Sequence, residues 1–113
     1  MEIDERIRQI YDYLSEKKCK DIAVYNIQEN SQDFHYVLIV SNINQQANKK
    51  FALSLMEDME MEEYPEGFSK GEWIVFDFDD IALHCFIPSM REKYSLDKMY
   101  HNKRLNLTKQ NKK

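Results

Sequence analysis

The sequence predicts an α/β (α+β) fold: a single domain with a mixed β-sheet flanked by helices. Three observations predict it. Two stretches place apolar residues at helical spacing. Four short runs are rich in β-branched and aromatic side chains, as strands are. These segments alternate in the order helix, strand, strand, helix, strand, strand, helix.

The first helix follows from Ile3, Ile7, Ile10 and Leu14, with Tyr11 widening the stripe. Lys17, Lys18 and Lys20 suit the negative end of its dipole. Asp21 to Ile27 reads as a strand, Gln28 to Asp33 as a polar turn, and His35 to Val40 as a second strand. The two strands can pair as a hairpin. From about Asn44, the residues Ala47, Phe51, Leu55 and Met59 make a second helical stripe, supported by Ala52 and Met56. Met56, Met59 and Met61 read as helix packing and rim. Tyr64-Pro65-Glu66-Gly67 ends the helix and opens a loop.

Trp73 to Phe78 reads as a third strand. Ile74, Phe76 and Phe78 share its core face, and Trp73, Val75 and Asp77 share the other. Asp79-Asp80 is a tight acidic turn, and the chain resumes as a strand over Ile81 to Ile87. There Ile81, Leu83, Cys85 and Ile87 share one face, and Asp80, Ala82, His84 and Phe86 the other. Pro88 ends the strand. Ser89-Met90-Arg91-Glu92 has the capping-box pattern of a new helix. Trp73, Asp77, Asp80, His84, Arg91 and Tyr94 therefore fall on one hairpin and the helical turn after it, where they can form one surface patch.

Composition agrees with one small domain. The chain has 113 residues, an apolar fraction of 42%, and only two Gly and two Pro. That length supports a single core. No apolar run approaches the ~20 residues of a membrane span. The charged N-terminus MEIDERIRQI lacks a signal-peptide apolar region, so a cytoplasmic location is expected. Cys19 and Cys85 make no disulfide framework. Cys85 is expected to be buried and Cys19 partly exposed. His84 and Cys85 adjoin on a strand and point to opposite faces, and there is no CxxC or HxxxH spacing, so no metal site is expected.

Charge is uneven along the chain. Residues 1–97 carry ten Lys or Arg against twenty Asp or Glu, whereas residues 98–113 carry six Lys or Arg and no acid. The end of the chain reads as a solubilising tail. Alternatively, Lys98, Lys103, Arg104, Lys109, Lys112 and Lys113 contact RNA phosphates. Order is expected to lapse after about Leu107.

The segment Trp73–Tyr100 resembles the ribosomal silencing factor (Iojap-type) family. The matching residues are Trp73, Asp77, Phe78, Asp80, His84, Arg91, Tyr94 and the run Leu96-Asp97-Lys98-Met99-Tyr100. Glu66-Gly67 matches the family's Glu-Gly before its Trp. Weaker similarity covers Lys20–Val24 and Tyr36–Ser41. The chain departs from the pattern at Asp79 and Asn42, where the family has Gly. It departs also at His35 for Asp, Gln46 for Arg and Tyr100 for Trp. Asn and Asp tolerate φ > 0, so both turns can survive.

The resemblance implies a silencing-factor-like domain over residues 1–105, and the charge pattern leaves a basic tail over 106–113. It implies a fold related to nucleotidyltransferases; the sequence itself lacks their Gly-Ser phosphate turn, and no cofactor is expected. It implies a translational repressor that binds the large ribosomal subunit on the fourteenth large-subunit ribosomal protein. Bound there, it would block joining of the small subunit under nutrient limitation. Partner contact falls to Trp73, Asp77, Asp80, His84, Arg91 and Tyr94. A homodimer is also implied as one arrangement.

Other readings compete. A ribosome-assembly or RNA-binding factor would act through the basic tail. Asp77-Phe78-Asp79 is a DxD that could hold Mg²⁺ for nucleotidyl transfer, but no Gly-Ser phosphate turn precedes it. His84 with Asp80 or Asp77 would make an acid–base pair, though no nucleophile is tied to them. Trp73 could also serve the core alone.

Overall fold

A computed structural model describes residues 4–29 and 33–107. Ile3, the centre of the polar turn at 30–32, and tail residues 108–113 with Lys109, Lys112 and Lys113 lie outside the described residues. Helix α1 (Glu5–Glu16) leads into strands β1 (Lys20–Asn26) and β2 (Tyr36–Ser41), then helix α2 (Gln45–Asp58). Strands β3 (Trp73–Phe78) and β4 (Ile81–Phe86) follow, then short helices α3 (Pro88–Tyr94) and α4 (Leu96–Met99). A 3₁₀ turn at His101–Lys103 ends in strand β5 (Arg104–Leu105).

The five strands form one mixed sheet in the order β3-β4-β2-β1-β5. Only β2 and β4 run parallel. Strand β2 is central, and every residue from Val37 to Ser41 is buried. That is the pattern of a strand covered on both faces.

On one face, Val24, Leu38, Val40, Ile74, Phe76, Ile81, Leu83 and Cys85 pack under Ile7 and Leu14 of α1 and Phe51, Ala52, Leu55 and Met56 of α2. On the other, Ala23, Tyr25, Ile27, Val37, Ile39, Ala82 and Phe86 meet Met90, Leu96 and Tyr100 from the C-terminal elements. Two long helices shield the first face and two short ones the second. The second face therefore thins out toward the β3 edge, where Trp73, Val75 and His84 are only partly buried.

Both long helices end in the same way. Cys19 N–H donates to Leu14 O at 3.1 Å and Met61 N–H to Met56 O at 2.9 Å, with Lys18 (φ 65°) and Glu60 (φ 56°) left-handed before them. This is the Schellman closure, which turns the next side chain back onto the helix. It corrects two expectations. Cys19 is buried rather than partly exposed, and burial pushes its thiol up to about 12. Met59 caps α2 and stands 53% exposed instead of continuing the stripe, so α2 ends at Asp58, well before Tyr64-Pro65.

Other differences are local. The Ser89 capping box does not form: Ile87 is the N-cap of α3, without a side-chain cap bond, and Pro88 takes the first turn. Ile87 thus leaves β4. The single C-terminal helix is broken at Ser95 (φ 54°), and β5, which the sequence reading lacks, pairs with β1 through Val24–Leu105 and Tyr25–Arg104. Leu107 still packs on the core, and its carbonyl accepts from Tyr11 Oη at 3.1 Å. Asp79 is left-handed (φ 62°), where the family pattern has Gly. Asn42 is not. It bridges instead, with its N–H on Phe86 O and its amide on Asn48 Oδ1 at 2.8 Å.

Candidate functional site

Pairing of β3 with β4 sets Trp73 opposite Phe86 and Val75 opposite His84. Trp73 and His84 are then diagonal neighbours on one face, within reach of long side chains. The Trp73 indole N–H donates to His84 Nδ1 at 2.9 Å. The Trp73 ring lies 5.0 Å from Phe86 and 4.7 Å from Tyr94 of α3, centroid to centroid. Tyr94 is 44% exposed. An aromatic corner therefore stands at the open edge of the second face, built from Trp73, His84, Phe86 and Tyr94.

Burial lowers the His84 pKa to about 4. Its bond reinforces that direction, because an Nδ1 that accepts from the indole cannot also carry a proton. His84 is a neutral acceptor at neutral pH. Trp73 is neither simply core nor simply exposed, since it seals the rim of the second face and keeps part of its ring in solvent.

Gly67 holds this edge in place. Its φ is +83°, and a Cβ there would lie 2.0 Å from the Trp73 carbonyl oxygen. The same loop pairs with β3 where Val75 N–H donates to Glu66 O at 2.9 Å.

Arg91 lies deeper. Its guanidinium donates to both carboxylate oxygens of Asp97, at 2.8 and 3.1 Å, and to Ser41 Oγ at 2.9 Å. Tyr25 Oη donates to Asp97 Oδ1 at 2.6 Å. Burial pulls the Asp97 carboxyl upward, but the Arg91 and Tyr25 hydrogen bonds prevail and hold it below the ordinary carboxylate value. This cluster ties the α3–α4 corner to the sheet, and so fixes the helix that carries Tyr94.

Asp80 sits at the other end of the hairpin, roughly 17 Å of strand away. Arg6 donates to both of its oxygens, at 2.8 and 3.0 Å, and His35 Nδ1 lies 3.1 Å from it. The Arg6 bonds lower its pKa to about 2. Asp77 is exposed, on the same strand face as Trp73 and opposite Ala82.

Of the six residues singled out in the sequence, the structure brings together Trp73, His84 and Tyr94. Arg91 supports them from beneath, Asp77 lies farther along the same edge, and Asp80 joins α1 to the hairpin tip. Phe86, Asp97 and Tyr25 were missed. Asp97 was visible in the Leu96–Tyr100 run, but only the left-handed Ser95 folds it back onto Arg91. The DxD carboxylates do not share a strand, because Asp79 belongs to the turn. His84 is not paired with Asp80 or Asp77, since Trp73 occupies its Nδ1. Among the described residues no group of three His, Cys, Asp or Glu side chains is placed to hold a metal ion, and no helix is long and apolar enough to cross a membrane.

The family model described as "Ribosomal silencing factor during starvation" matches residues 1–113. The chain belongs to that family. A curated relative, ribosomal silencing factor RsfS of Chromobacterium violaceum, is 23% identical over 104 residues, spanning 88% of this chain and 85% of the relative. A crystal structure of a Chromobacterium violaceum protein superposes with a TM-score of 0.76 at 21% identity, covering 96% of this chain and 93% of that one. A second, from Bacillus halodurans, gives 0.72 at 19% identity and covers 92% and 100%. These neighbours share the fold of this chain.

Proposed function

We propose that this ribosomal silencing factor family member is a non-enzymatic translational repressor that docks on the large ribosomal subunit through its aromatic corner. The observation that carries the reading is the half-open cluster of Trp73, His84 and Tyr94 at the sheet edge, in a chain of this family. Aromatic side chains with a large, rigid, partly solvated face are the usual energetic centre of a protein interface. Trp73 and Tyr94 supply the area to be desolvated, and Asp77 supplies a charge at the margin. Arg91 and Asp80 act indirectly: Arg91 braces α3 through Asp97, and Asp80 braces the hairpin through Arg6.

The partner is a ribosomal protein on the joining face of the large subunit, the fourteenth by the family resemblance. Repression is steric. A folded domain seated on that face occupies the volume the small subunit needs, so no bond has to be made or broken.

The test is co-sedimentation of the purified protein with isolated large and small subunits, alongside a subunit-joining assay. Binding to the large subunit alone, with joining inhibited, is the expected result. Binding to neither subunit, or joining that proceeds normally on a saturated large subunit, would overturn the proposal.

A further inference from the structure

We infer that the groove between the α1–β1 turn and the first turns of α2 is a binding site for RNA phosphates. The groove has a volume of about 480 Å³ and is lined by Lys17, Lys18, Lys20 and Lys50 with Asn42, Ile43, Ala47, Phe51 and Ser54. No carboxylate lines it. That is a concentration of positive charge on a domain whose first 97 residues carry twice as many acids as bases.

The fold builds the cluster. The left-handed Lys18 turns the chain sharply, so that Lys17, Lys18 and Lys20 leave α1 and enter β1 within one turn. Lys50 joins them from the second turn of α2. Lys17 is partly engaged, donating to Ser54 Oγ at 2.9 Å with Asp58 at 3.7 Å. Lys18, Lys20 and Lys50 are exposed and make no ion pair among the described residues. The first turn of α2 contains no acid, and its positive dipole end opens at the same place. Ile43, 77% exposed, gives the rim an apolar surface against which a base or ribose can lie.

The lining cations are all Lys, which meet phosphate as point charges. Their placement around the exposed apolar Ile43 suits a chain of phosphates and bases better than a run of carboxylates.

Position adds a second argument. Trp73, Phe86, Ser41 and Lys20 form one row across the sheet. The groove and the aromatic corner thus lie at the same end of the sheet but on opposite faces, the groove beside α2 and the corner beside α3. A particle that presents protein to one face and RNA to the other can engage both. The groove's charges act whether or not the corner docks on a protein.

The test is fluorescence anisotropy of the full chain with a fluorescein-labelled RNA hairpin, at about 50 and 200 mM salt, and with a labelled poly-glutamate peptide. Lys18→Ala/Lys20→Ala/Lys50→Ala should weaken RNA binding about tenfold or more and flatten the salt dependence by about two to three phosphates' worth. The Lys→Arg triple variant should retain binding and exclude misfolding as the cause. Lys109→Ala/Lys112→Ala/Lys113→Ala should keep most of the affinity, which separates the groove from the tail. Trp73→Ala/Tyr94→Ala should leave RNA binding unchanged, so that failure of the docking reading and failure of the groove are distinguishable. Three results would overturn the inference: wild-type affinity and salt slope in the Lys→Ala triple variant, preference for poly-glutamate, or no binding of RNA by the wild type.

Discussion

The indole N–H of Trp73 donates to Nδ1 of His84 across the diagonal of the β3–β4 hairpin at 2.9 Å. The bond fixes His84 as the tautomer with its proton on Nε2 and fixes the tilt of the indole beside Tyr94. It makes the aromatic corner a rigid feature of the sheet, not a pair of independent surface rings.

A pH dependence follows. The folded pKa of His84 is about 4, below the ordinary 6.5. Between these values the unfolded chain binds a proton that the folded chain refuses, so stability rises with pH across the window. The contribution is complete above about 6.5 and lost as pH falls through 4, and is on the order of 3 kcal/mol. Trp73 is the sole tryptophan, so its fluorescence reports the event directly. A transition near pH 4, with far-UV circular dichroism unchanged before it, is expected. A midpoint near 6.5 would show His84 solvated and the bond absent.

Gly67→Ala should destabilise the edge. The added Cβ meets Trp73 O, a backbone atom that cannot step aside, at a φ that side chains rarely adopt. A loss of about 2 kcal/mol or more is expected in urea unfolding. An unchanged midpoint would mean that the Glu66–Gly67 loop does not pack against β3.

Much of the fold was legible because the core is built from ordinary periodicity. Ile7 and Leu14 in α1, Phe51 and Leu55 in α2, and Ile74, Phe76, Leu83 and Cys85 in the hairpin all lie on the faces their spacing assigns. Several of the misses share a cause. Lys18, Asp21, Glu60, Asp79 and Ser95 all adopt positive φ, and with only two glycines in the chain such turns carry little residue-type signal. The Schellman ends, the burial of Cys19 and the break in the last helix all depend on them. At the site, adjacency in sequence grouped Asp80 with Trp73, but a hairpin puts its turn and its open end as far apart as the strands allow. Arg6, which claims Asp80, comes from 74 residues earlier, a separation no local pattern contains.

Asn48 is a polar residue that the sequence gives no reason to single out, yet it is fully buried. Its amide donates to Gly71 O at 3.0 Å and Cys85 O at 2.9 Å, and its oxygen accepts from Asn42. It joins α2 to β4, to the turn before β3 and to the end of β2. Asn48→Leu keeps the volume but strands these partners in the interior. A loss of about 3 kcal/mol is expected by chemical denaturation, and a loss below about 1 kcal/mol would contradict the network.

Glu60→Gly should act in the opposite direction. Glu60 holds φ 56° at the end of α2 and its side chain is exposed. Glycine removes the left-handed penalty and stabilises the Schellman turn by about 1 kcal/mol. The melting temperature should rise by a few degrees. A fall would mean that the glutamate side chain contributes more than the backbone strain costs.

The most direct test of the docking claim is large-subunit co-sedimentation of Tyr94→Ala and of Trp73→Ala/Tyr94→Ala, each first shown to unfold cooperatively. Tyr94 is exposed enough to be removed with little effect on the fold. The single variant is expected to bind at least about tenfold more weakly, and the double variant no longer to sediment with the subunit. A folded double variant that binds the large subunit as the wild type does would contradict the docking claim.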